Sequence, residues 1–348
     1  MNRLKLLLAL VALLVSTLAC ATLFGDESYS DEDYYTEEDP GFVTDEAPAQ
    51  DYEPSTGSVS GADSCPVLTD KILQIATTPS DSEAETMDEE VTLVSYLVNG
   101  DEISDPVYES VSSDLQSEQD DETTQYDIWN YYTTLIPPQS RSVLTEYVIS
   151  TDGVDGTLAS VAQTESDPNS WALFVDIADV ADRYNLTYTL LHEFGHLLTL
   201  GPNQVPPSIA VFNNPDDDNI YLQESSNCPN YFPGEGCANA NSYIDGFYYQ
   251  FWDDIHDEWN DINLEEDEDI YYQKLDDFYY KYQDRFLTDY AATNPEEDIA
   301  ESWTFFVLGP KPAGNSIAEE KILFFYQYPE LVQLRSEILS NLCVNFPQ

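Results

Sequence analysis

Basic residues and histidine are what this chain has least of. There are 11 Lys+Arg against 67 Asp+Glu, a formal net charge of −56, and only three histidines. A polyanion of this strength repels phosphate backbones and anionic lipid headgroups, so nucleic acid is not an expected partner. Long apolar stretches are also scarce. Leu6 to Ala19 is a largely apolar run of 14 residues, too short to span a bilayer comfortably. Cysteine is sparse too, at five, and none has the close pairwise spacing of a metal knuckle. The acid excess does not imply disorder throughout, because 42% of the chain is hydrophobic and it holds 25 Tyr and 15 Phe. That is ample material for a core.

The apolar run follows Arg3 and Lys5 and precedes Thr17-Leu18-Ala19-Cys20. This order reads as a lipoprotein signal peptide over residues 1–20, with Cys20 lipidated and holding the chain on the outer side of a bacterial membrane. Ordinary cleavage at Ala19-Cys20-Ala21 followed by secretion is the alternative. Residues 21–64 carry 13 acidic residues and no basic one, with no apolar period. They are expected to form an acidic disordered tether with a reach of roughly 35–40 Å. Export makes disulfides the natural state of Cys65, Cys228, Cys237 and Cys343. Three connectivities exist. The nine-residue spacing and the Pro and Gly around it favour a local Cys228–Cys237 staple, which leaves Cys65 to pair with Cys343.

From Cys65 onward the pattern is globular. Strands are expected at 91–98, 142–150 and 172–177, and helices at 126–135, 186–200, 243–259, 270–286, 295–308 and 328–342. Residues 201–240 read as loop. Strands come first and helices follow, which predicts a single α+β domain over 65–348 with a small mixed sheet and a mostly helical C-terminal half.

Two of the three histidines stand in His192-Glu193-Phe194-Gly195-His196, inside the strongest helical segment. On a helix, residues i and i+4 share a face, so both imidazoles can bind one ion. Zn²⁺ accepts neutral imidazole and prefers four ligands, while Glu193 is placed to take a proton from a metal-bound water. The strand at 172–177, just upstream, is expected to supply the edge on which a peptide substrate pairs. The remaining histidine, His256, lies in an acidic helix and reads as a solvated residue. Asp216, Asp217 and Asp218 read as a solvated turn.

A third ligand must then be a carboxylate. The favoured segment is Asn294 to Trp303, where Asn294 and Pro295 start a helix and Glu297 and Glu301 share one face. On spacing alone, either glutamate can bind the metal while the other orients a histidine. The two segments together resemble the anthrax-lethal-factor-like zinc peptidases, a gluzincin family. Its pattern is H-E-x-x-H on one helix, then a Tyr, a short turn and a helix beginning E-F-F-A-E. Here Tyr290 stands seven residues before Glu297, and the helix reads Glu297-Asp298-Ile299-Ala300-Glu301. The resemblance covers about a tenth of the chain. It implies a zincin-like fold and a zinc metallopeptidase acting on a peptide or protein substrate. His192, His196 and Glu297 would bind Zn²⁺, Glu193 would be the base and Tyr290 an oxyanion donor. Glu301 would support a ligand from behind. Asp298 and Ile299 depart from the two Phe of the pattern. A non-catalytic acidic surface module retaining the same fold is the competing reading.

Overall fold

The computed structural model describes residues 65–76, 90–154, 156–265 and 267–346. The signal peptide and tether expected over 1–64 lie outside the described residues. Helix α1 (Pro66–Ala76) leads into a sheet of β1 (Val91–Asn99), β2 (Glu102–Tyr108), β3 (Leu144–Thr151), β4 (Ala159–Thr164) and β5 (Asp167–Asp176), with α2 (Glu122–Leu135) inserted between β2 and β3. The strand order is β2-β1-β3-β5-β4. Only the β3–β5 pair is parallel, so the sheet is mixed.

Two of these strands were not legible from pattern. The first strand ends at Asn99-Gly100 as expected, but a second strand follows directly. Gly100 takes φ 63°, and the chain turns through Gly100 and Asp101 into a hairpin pairing Asn99 with Glu102. β2 is almost wholly exposed, so it lacks the alternation that would betray it. β4 is six residues long and reads Ala-Ser-Val-Ala-Gln-Thr, too weak a signal to separate from a loop. Its presence corrects one expectation. The segment at 172–177 belongs to β5, which is hydrogen-bonded to β3 on one side and β4 on the other. It has no free edge to offer a substrate, and the edge strand at this end of the sheet is β4.

Beyond residue 177 the described residues form helices. These are α3 (Arg183–Leu200), α4 (Asp218–Asn227), α5 (Tyr243–Phe251), α6 (His256–Ile262), α7 (Glu268–Lys281), α8 (Pro295–Leu308), α9 (Ile317–Phe325) and α10 (Pro329–Asn345). The domain is thus a mixed α/β structure with a helical C-terminal half. α4 and a single turn at Ile209–Phe212 occupy the stretch expected to be loop. α4 buries none of its residues, so no apolar stripe marks it. Asp217 is its N-cap, accepting from Asn219 N and Ile220 N at 3.1 and 3.4 Å, which gives the acidic turn a local structural role. The helix expected over 243–259 is broken at Trp252–Ile255, where Trp252 N and Asp253 N both bond Tyr248 O.

Both expected disulfides are present. Cys65–Cys343 ties the residue before α1 to the end of α10 across a sequence separation of 278, and Cys228–Cys237 closes a nine-residue loop. Phe194 on α3 meets Trp303 on α8 edge to face at 5.8 Å, and both are fully buried. The crossing of α3 and α8 is close because Gly195 has no side chain. A Cβ there would stand 3.1 Å from Ala300 Cα and 3.1 Å from Trp303 Cδ1.

Candidate metal centre

α3 starts at its cap, Asp182, which accepts from Tyr184 N at 2.9 Å. Ten residues on, His192 and His196 sit one turn apart on the face turned toward α8, and both are buried. α8 starts at Asn294, whose side chain accepts from Glu297 N at 2.8 Å. This cap leaves the Glu297 carboxylate free to face the histidines. Its Oε2 stands 2.9 Å from His192 Nε2 and 3.3 Å from His196 Nε2, and the two Nε2 atoms are 3.1 Å apart. Three electron-pair donors thus converge on one point. Tetrahedral zinc at ordinary Zn–N distances sets its ligand atoms about 3.3 Å apart, so the triangle already has nearly the edge lengths that such an ion requires.

Glu301, one turn along α8, holds His192 from behind, with Oε1 2.9 Å from Nδ1. A carboxylate there assigns the ring proton to Nδ1 and leaves Nε2 as a lone-pair donor to a cation. Tyr188 and Thr288 also donate to Glu301, each at 2.7 Å. Burial alone would lower the His192 pKa. Hydrogen bonds to Glu297 and Glu301 outweigh it and raise it well above the usual range. Burial also opposes the charge on Glu297, but the two imidazoles hold its carboxyl far below the usual range. Both directions have one cause, the mutual attraction of the imidazoles and the carboxylates.

Glu193 also faces the centre. Its carboxylate lies within 4.8 Å of the ring nitrogens of His192 and His196, with no hydrogen bond to either among the described contacts. Burial pushes Glu193 up to about 7, partly countered by the imidazoles and by the backbone N–H of Val161. Val161 is on β4, so the edge strand borders the carboxylate directly. Tyr290 lies in a single turn before α8, with its ring centroid 5.8 Å from that of His192. As a whole residue Tyr290 is 51% exposed. Burial around the hydroxyl, followed by the charges of Glu297 and Glu193, raises its pKa well above the phenol range, so it stays a donor. All six residues singled out in the sequence therefore meet in one place.

His256 is not part of it. Rather than being solvated, its ring packs 5.1 Å from Tyr248 and 5.2 Å from Trp259, and burial lowers its pKa. The departure at Asp298 is resolved by Lys321. Both side chains are completely buried and form an ion pair, with Trp252 Nε1 donating to Asp298 at 2.7 Å and the Lys321 ammonium 4.2 Å above the Phe286 ring. Lys321→Met leaves the buried Asp298 carboxyl without its cation and with Trp252 Nε1 as its remaining partner. It is expected to lower stability by about 3–5 kcal/mol, read by denaturant unfolding. Asp298→Asn/Lys321→Met should recover much of the loss, and an unchanged midpoint for Lys321→Met would contradict the pairing.

Tyr188, Thr288 and Val161 went unremarked in the sequence. Tyr188 carried a usable signal, since it lies four residues before His192 on the same helical face. No family model, curated protein or solved structure matches the chain.

Proposed function

We propose that the protein is a zinc metallopeptidase of the gluzincin type, exported and held at the membrane surface through Cys20. The observation that carries this reading is the triangle of His192 Nε2, His196 Nε2 and Glu297 Oε2, with the Glu193 carboxylate within 4.8 Å of both imidazoles. Two imidazoles and one carboxylate with an open fourth position are the ligand set of catalytic zinc rather than structural zinc. The pairing of a metal helix with an adjacent antiparallel edge strand supports the zincin-like form of the fold. The disulfides agree with a location outside the cytoplasm.

His192, His196 and Glu297 would hold the ion, which when bound supplies Lewis acidity to a water and to the scissile carbonyl. Glu193 receives the water proton and returns it to the leaving amine. Its buried position keeps its proton affinity near neutrality, where it can act in both directions. Tyr290 donates its phenolic hydrogen to the oxygen on which charge develops. β4 offers unpaired backbone groups to an extended peptide beside Glu193. Glu301 keeps His192 in the tautomer that can ligate.

Dye-labelled casein tests the reading. The purified full chain is expected to cleave it, to lose activity on removal of metal by a chelator, and to regain it with one equivalent of Zn²⁺. Cleavage that survives chelation would contradict the proposal.

A further inference from the structure

We propose that Thr288 is a positioning residue that ties the turn carrying Tyr290 to the carboxylate behind His192, so that oxyanion donor and metal ligand are set by one hydroxyl. The inference rests on the peptidase reading and adds to it a residue for which neither the H-E-x-x-H segment nor the helix of Glu297 gives any cue.

Thr288 is 5% exposed, and its Oγ1 has two partners. It donates to Glu301 Oε2 at 2.7 Å and accepts from Ala291 N at 3.1 Å. The directions are fixed, because a backbone N–H can only donate and a carboxylate only accepts. The chain of bonds runs from the Ala291 amide through Thr288 and Glu301 to His192 Nδ1, each member 3.1 Å or less from the next. Ala291 is the centre of the three-residue turn Tyr290–Ala292, so the amide that Thr288 holds belongs to the residue after Tyr290. Tyr188 anchors Glu301 from the other helix, with its hydroxyl 2.7 Å from both carboxylate oxygens. Glu301 is therefore gripped from α3 by Tyr188 and His192, and from the Tyr290 turn by Thr288. A shift of the turn has to move the carboxylate that aims His192.

Tyr188 alone would keep Glu301 near His192. Among the described residues, Thr288 is the one whose hydroxyl bonds both Glu301 and the turn. Valine matches threonine in shape and lacks the hydroxyl, while serine keeps the hydroxyl and lacks the methyl. The test compares wild type, Thr288→Val and Thr288→Ser as full chains. The readouts are Zn²⁺ affinity by chelator competition, the visible absorption of the Co²⁺-substituted protein, and kcat and KM on dye-labelled casein. Thr288→Val is expected to keep one metal per chain, to bind it about 10-fold more weakly, and to show an altered Co²⁺ spectrum. Its kcat should fall about 10-fold with KM little changed. Thr288→Ser is expected to restore all three. A Thr288→Val protein with wild-type affinity and Co²⁺ spectrum, whatever its melting temperature, would overturn the proposal while leaving the peptidase reading intact. Wild type that binds neither metal would overturn both.

Discussion

Glu193→Gln is expected to abolish peptide hydrolysis while leaving the metal in place. Glutamine has nearly the size of glutamate and can still pack in the buried position beside His192, but it cannot receive a proton. Its expected effect on kcat is about 10³-fold or more, in the upper part of the range for a positioned general base. The ligand triangle of His192, His196 and Glu297 does not include it, so zinc content should match wild type. The environment of Glu193 suits the role. It is buried, it accepts from Val161 on the edge strand, and desolvation raises its pKa to about 7. A carboxylate whose only task was packing would gain nothing from that proton affinity. Glu193→Gln with wild-type turnover would remove the mechanism, whereas loss of both turnover and zinc would mean that Glu193 is itself a ligand.

The second large effect separates the two glutamates of α8. Glu297→Ala removes one corner of a triangle whose sides are 2.9, 3.1 and 3.3 Å. With only two protein ligands left, the chain is expected to lose its zinc on dialysis. Glu301→Ala removes the acceptor of His192 Nδ1 without touching the triangle, so zinc should remain, bound about 10–100-fold more weakly. It also strands the Tyr188 and Thr288 hydroxyls in the core, so some loss of stability should accompany it. Elemental analysis of both variants against wild type decides the matter. Retention of zinc by Glu297→Ala and its loss from Glu301→Ala would exchange the two roles.

The site was more legible in the sequence than the fold around it. Metal chemistry needs particular residue types at particular spacings, and helical periodicity then fixes which of them share a face. His192 with His196, and Glu297 with Glu301, obey that rule at four residues each. The convergence of α3 and α8 was not derivable from spacing and entered only through resemblance. It depends on Gly195 admitting the backbone of Ala300. The sheet was harder. β3 and β5 are largely buried and apolar and were visible, although β5 begins five residues earlier than its apolar run suggests. β4 is short and mixed, and β2 is exposed except at Ile103, so neither carries a period-two signal. The misplaced edge followed from the missed β4, because a strand can be recognised as an edge only when its neighbours are known. Lys321 is the clearest case of a residue whose meaning is wholly tertiary. It stands in a helix that the sequence analysis did not expect, and it is the buried partner of Asp298, the residue that replaces a Phe of the gluzincin pattern.

Zinc bound to the wild-type chain is the most direct test of this account. Protein dialysed against metal-free buffer and analysed for zinc, with X-ray absorption at the zinc edge, is predicted to hold one ion per chain. Its first shell should be two imidazole nitrogens plus oxygen, with no sulfur. A chain that retains no zinc after dialysis, or whose zinc is bound without histidine, would contradict it.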